Sequence, residues 1–173
     1  MKVSAAIAGG LAGTLTVASL HEAFRRISAD APRMDVLDMD LIRKGLKKMH
    51  KDVPDETELQ RWAVGGELFA DTAYYSVAGI GGKKSAWVRG ALLGLFAGIT
   101  AVVLPKPLGL PKEPSSKTLG TQLMTVGLYL AGGLVAAAVS QLVENAQRTV
   151  EEEPEVSSRS ETYDTIPAAE YVF

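Results

Sequence analysis

Glu67 and Asp71 are the two residues of this chain whose type and spacing point most directly to chemistry. They lie four positions apart inside the otherwise apolar stretch 62–80, so on a helix they share one face. At about 1.5 Å of rise per residue, Asp71 falls near the middle of a bilayer and Glu67 about 6 Å nearer one surface. A carboxylate at that depth costs roughly 2.5–3.5 kcal/mol on insertion scales. It must therefore face the interior of a bundle, protonated, hydrogen-bonded or paired. Residues expected at similar depth on other stretches are Thr14, Thr16, Thr100, Gln122, Thr125 and Tyr129, with Tyr74 and Tyr75 farther out. Such a cluster is either a relay for protons or cations, a polar pocket, or a hydrogen-bonded lock that fixes helix register.

A second group of polar residues follows the first apolar stretch. His21 and Glu22 precede Arg25, Arg26, Asp30, Arg33 and Asp35. Glu22 is three and four residues from the two arginines, the separation at which helical side chains pair. The sequence holds no Glu-x-x-His or His-Glu-x-x-His and only two histidines, so no metal site is expected. It also lacks a phosphate-binding glycine loop and a nucleophile elbow. With no cysteine, disulfides, zinc–thiolate sites, iron–sulfur clusters and thiol nucleophiles are excluded. A net charge of -2 and the absence of a basic stripe argue against general nucleic-acid binding. The reading is a non-enzymatic protein without a cofactor.

The elements that position these residues are long and apolar. Spans are expected at 3–20, 62–80, 86–104 and 119–143, each near the length needed for a hydrocarbon layer of about 30 Å. Lys2, the apolar run and Val17-Ala18-Ser19 also resemble a secretory signal. That run, however, is rich in Gly and Ala and reads on as helix into Arg26, so a retained first helix is expected. The loop 21–61 should carry an amphipathic helix over about 36–50, opened by Asp35, with Leu37 and Leu41 on one face and Arg43, Lys44, Lys47 and Lys48 on the other. Asp52-Val53-Pro54-Asp55-Glu56 marks the start of the second long helix. Gly81-Gly82 makes a tight turn, and Pro105, Pro107 and Pro111 break the chain before the last span. Trp62 and Trp87 fall at opposite membrane ends of adjacent spans, as interfacial anchors do.

Small residues recur every fourth position: Gly9 and Gly13 on the first span, Gly90, Gly94 and Gly98 on the third. Glycine strips let helix backbones approach closely in lipid, within one bundle or between chains. Loops 21–61 and 105–118 hold twelve Lys and Arg against five on the other side, which places both loops in the cytoplasm. The fold expected is an all-α multi-pass bundle of four transmembrane helices over residues 1–150, followed by a disordered acidic tail, 151–173. Its general look is that of small four-helix proteins of the bacterial inner membrane. The expected role is an accessory or scaffold subunit that meets the lipid bilayer and other membrane subunits or copies of itself. The alternative is a small transporter or channel component using Glu67 and Asp71.

Overall fold

Small residues decide how the long helices stack. The computed structural model describes residues 2–111 and 113–164, with the backbone alone described for residues 113 and 151–164. Six helices make up the described chain: α1 (Val3–Ile27), α2 (Met34–Lys48), α3 (Glu56–Ser76), α4 (Ala86–Val103), α5 (Glu113–Ser116) and α6 (Leu119–Asp164). Helix α6 is the spine, and α1 and α4 each pack along it. A Cβ on Gly13 would lie 2.7 Å from the Gly132 carbonyl oxygen, and one on Gly94 or Gly98 2.7 Å from a Cα of α6. The glycine strips on α1 and α4 are thus filled by the α6 backbone. Helix α3 packs along α1 and only sparsely against α4 and α6.

Large apolar side chains face outward while small ones face inward. Ile7, Leu11 and Leu15 on α1, and Leu92, Phe96 and Ile99 on α4, are exposed. Ala5, Gly9 and Gly13, and Gly90, Gly94 and Gly98, are buried. A water-soluble bundle does the reverse, because there the hydrophobic effect drives the large side chains in. Segments Val3–Ile27, Lys83–Val103 and Leu119–Val150 are long and apolar enough to cross a membrane. Three such helices in one bundle mark a membrane protein. The expected fourth span, α3, is not among them, since Glu67, Asp71 and the charged first turns lower its hydropathy.

Each end of the bundle is tied by polar contacts. At one end Gly81 adopts φ 96°, a conformation that favours glycine, and turns the chain from α3 into α4. Arg89 braces that turn, donating to the carbonyl oxygens of Ala78 and Gly82 at 3.1 Å each and to Ser85 Oγ. Gln141 Nε2 donates to the Lys83 carbonyl at 3.3 Å, and Lys83 Nζ donates to Asn145. At the other end α2 and α5 meet: the Arg33 N–H donates to the Pro114 carbonyl at 2.6 Å, and Lys44 Nζ to the carbonyls of Leu108 and Gly109.

Three local expectations are corrected. Helix α2 starts at Met34 rather than being capped by Asp35, because Arg33 occupies the cap and its N–H is taken by Pro114. Helix α3 is capped by Asp55, which accepts from the Glu58 N–H at 2.9 Å and leaves Pro54 outside the helix; it ends at Ser76 and tightens to a 3₁₀ turn over Val77–Gly79. The backbone of α6 runs on to Asp164, where the acidic tail was expected to lose structure from residue 151. Glu151 to Glu153 are good helix formers that extend an existing helix and need no new nucleus. The remainder of that tail, 165–173, lies outside the described residues.

Candidate functional site

The face of α3 that carries Glu67 and Asp71 looks into a crevice between α2, α4 and α6. Tyr129 of α6 forms part of its floor, and α2 adds a third acid, Asp38. Three cavities make up the crevice. One of about 260 Å³ is lined by Asp38, Glu67, Asp71 and Tyr129, with Leu41 and Ala70 among its walls. The second, about 370 Å³, shares Ala70, Asp71 and Tyr129 with the first and continues between α3 and α4 past Tyr74, Phe96 and Thr100. A third of about 170 Å³ shares Glu67 and reaches His21, Glu22, Arg25 and Asp35 at the end of α1. Shared wall residues set the three in a row along α3, a path marked by Glu67, Ala70 and Asp71.

Three acids of this path are without a protein partner among the described residues. Among the described residues no hydrogen bond or ion pair reaches Asp38, Glu67 or Asp71, and Asp71 Oδ2 is sheltered from solvent with nothing bonded to it. Burial pushes the Asp38 carboxyl up to about 7, and the charges of Glu67, Asp71 and Asp35 push the same way. His21 is 8 % exposed, its ring nitrogens are buried, and the Pro32 backbone and the charges of Asp35 and Arg25 act on the ring. Its ring meets that of Tyr129 edge-on, centroids 6.1 Å apart. A desolvated polar atom with no hydrogen bond costs on the order of 1–3 kcal/mol, so the path carries unmet demand for donors and positive charge.

Most of the partners expected from depth alone are engaged elsewhere. Thr14 donates to the Gly10 carbonyl at 3.0 Å and accepts from Thr72 at 3.4 Å. Thr125 donates to the carbonyls of Ser115 (3.0 Å) and Thr121 (2.8 Å), and Gln122 to Ser116 (3.4 Å), fastening α5 to the base of α6. Of the residues expected to surround Glu67 and Asp71, Tyr129 joins them, and Thr100 and Tyr74 line the opening. Tyr74 donates to the Leu93 carbonyl of α4 at 2.9 Å. Tyr75, fully buried, donates to the Tyr129 carbonyl at 2.9 Å and joins α3 to α6.

The charged group at the end of α1 resolves into ion pairs. Glu22 meets Arg26 at 2.9 Å and Arg25 at 3.7 Å, and Asp35 meets Arg33 at 3.0 Å and Arg25 at 3.6 Å. Burial pushes the Asp35 carboxyl up, but the Arg33 hydrogen bond and the charges of Arg33 and Arg25 outweigh it and hold the group below its ordinary range. His21 belongs to the crevice rather than to these pairs. The Asp30 N–H donates to Ser28 Oγ at 3.2 Å, and its carboxylate joins none of the ion pairs found among the described residues.

The sequence groups Asp38 with Asp30, Arg33 and Asp35 in one charged turn, but in the fold it lines the crevice with Leu41 and Ile42. One acid escaped the sequence reading. Glu144, 2 % exposed, accepts from the Lys2 N–H at 2.6 Å and from Arg148 at 3.0 Å; its position beyond the last span hid it. Among the described residues no three His, Asp or Glu side chains are grouped to hold a metal ion. No protein-family model, curated protein or solved structure matches the chain.

Proposed function

We propose that this is a four-span integral membrane protein that binds and moves protons or cations through the carboxylate crevice of α3. The observation that carries this reading is three acids, Asp38, Glu67 and Asp71, facing one crevice with no hydrogen-bond or ion-pair partner among the described residues. A lock that merely fixed register would pair its carboxylates; these are left open for something brought from outside. Asp38, Glu67 and Asp71 follow one another along the path, so a proton or cation released by one has another acceptor within the same crevice.

Helix α3 completes the fourth crossing in this proposal. Trp62, Val64 and Phe69 on it are exposed, Phe69 at 78 %, which suits a lipid-facing side. Its acids turn to the crevice, where the cost of placing them in lipid is avoided. We place the protein in the bacterial cytoplasmic membrane with loops 21–61 and 105–118 in the cytoplasm, on the excess of basic residues they carry. The accessory-subunit reading would use the glycine strips to receive other chains; α6 fills those strips, so they lend it no support.

Proteoliposomes test the proposal. Purified protein should dissipate an imposed pH or monovalent-cation gradient, and Asp71→Asn or Glu67→Gln should return the rate to that of empty liposomes. Undiminished flux in both variants would remove the carboxylates from the mechanism.

A further inference from the structure

We infer that the crevice takes an amphiphilic organic monocation, its charge among Asp38, Glu67 and Asp71 and its apolar body in the opening between α3 and α4. This rests on the cation-binding reading and names the class of cation. Four observations lead to it.

The first is charge. The linings of the two larger cavities contain those three carboxylates and no Lys, Arg or His. An anion is repelled there, and a neutral guest can give the buried Asp71 Oδ2 a hydrogen bond but no compensating charge.

Spacing comes next. A hard inorganic cation needs several oxygens at about 2.0–2.6 Å, and among the described residues no three acidic or histidine side chains are grouped to hold a metal ion. Carboxylates spread along a crevice suit a larger cation whose charge is delocalised or can reach more than one of them.

The walls supply the third observation. The larger cavity is lined by Asp71, by Ala70, Ala97 and Ala101, and by the aromatic residues Tyr74, Phe96 and Tyr129. Aromatic faces attract cations within about 6 Å, and the small residues leave the width of the opening clear. At about 370 and 260 Å³, the joined cavities reach the range of drug-sized sites, about 300–1,000 Å³.

Access is the fourth. Helix α3 packs on α1 and only sparsely on α4, so this opening faces sideways. Phe96 at its rim is 67 % exposed, on the same lipid-facing side as Leu92 and Ile99. A guest with an apolar body reaches the acids from the bilayer without crossing the charged loops.

The full-length protein in a neutral detergent, titrated with 9-aminoacridine and followed by the dye's own fluorescence, tests this. Saturable binding is expected at mildly alkaline pH, where the dye is charged. Acridine, similar in shape but uncharged there, should bind at least about tenfold more weakly, the scale of losing a charge-assisted contact. Asp71→Asn should weaken the dye by a similar factor. Ala101→Phe should block it by filling the opening while leaving every acid in place, and gel filtration and circular dichroism report whether each variant is folded. If Asp71→Asn does not fold, Ala101→Phe decides, with Glu67→Gln behind it. Equal binding of dye and acridine, or dye binding untouched by the folded variants, overturns the inference. Proton flux that depends on Asp71 without dye binding overturns it while the transport reading stands. Dye binding that depends on Asp71 without flux supports the inference and removes transport.

Discussion

Asp38 lies on a short helix outside the apolar stretches, where an aspartate ordinarily titrates near 4. Docking of α2 on α3 buries it beside Glu67 and Asp71, which raises its pKa to about 7. Between those two values the docked state holds more protons than the undocked one. Stability of the docked α2 therefore falls as pH rises from about 4 to about 7, by on the order of 1 kcal/mol per pH unit inside that window. Hydrogen exchange of α2 amides, corrected for intrinsic rates, should show less protection at pH 8 than at pH 5, and Asp38→Asn should flatten the difference. In the sequence Asp38 is one of nine acids in a charged loop, and only tertiary docking tells it from the rest. Glu67 and Asp71 were legible because an acid within an apolar stretch is costly enough to need a reason. Their threonine partners were not, because a helical threonine first satisfies its own carbonyl four residues back, as Thr14, Thr16 and Thr125 do.

Four-residue spacing told that the glycines pack closely, and it left open against what. Gly9, Gly13, Gly90, Gly94 and Gly98 all face α6. The matching small face of α6, Gly132, Gly133, Ala136 and Ala137, could be read as a broad strip but not assigned to two neighbours. Gly94→Ala should destabilise the monomer in detergent by about 1–3 kcal/mol, since the added carbon meets backbone that cannot yield. Gly127→Ala, on the same spine with nothing within 4 Å of the new atom, should be neutral or stabilising by about 0.5–1 kcal/mol. Thermal unfolding of the two variants side by side measures the contrast; equal behaviour would mean that α4 and α6 are not in backbone contact.

For the whole molecule, the question is whether α3 crosses the bilayer. The turn at Lys83 is tied to Gln141 and Asn145, and α2 is tied to the α5 connector at the other end. With no native cysteine, Lys47→Cys and Lys84→Cys can be probed one at a time with a thiol reagent that does not permeate the membrane. Label from opposite sides is expected, and label from the same side would reduce the protein to three crossings. The inverted pattern of large side chains outside and small ones inside could not be read from composition, because apolar helices and charged connectors average to a nearly neutral hydropathy.

That α6 fills the glycine grooves of both α1 and α4 has a consequence for biogenesis. The keystone is made after both of its neighbours, so they must wait in the bilayer with their glycine grooves open. A nascent chain released before Gly132 has nothing to close them, and such truncated products should be cleared by membrane proteases even though their earlier helices have already been inserted.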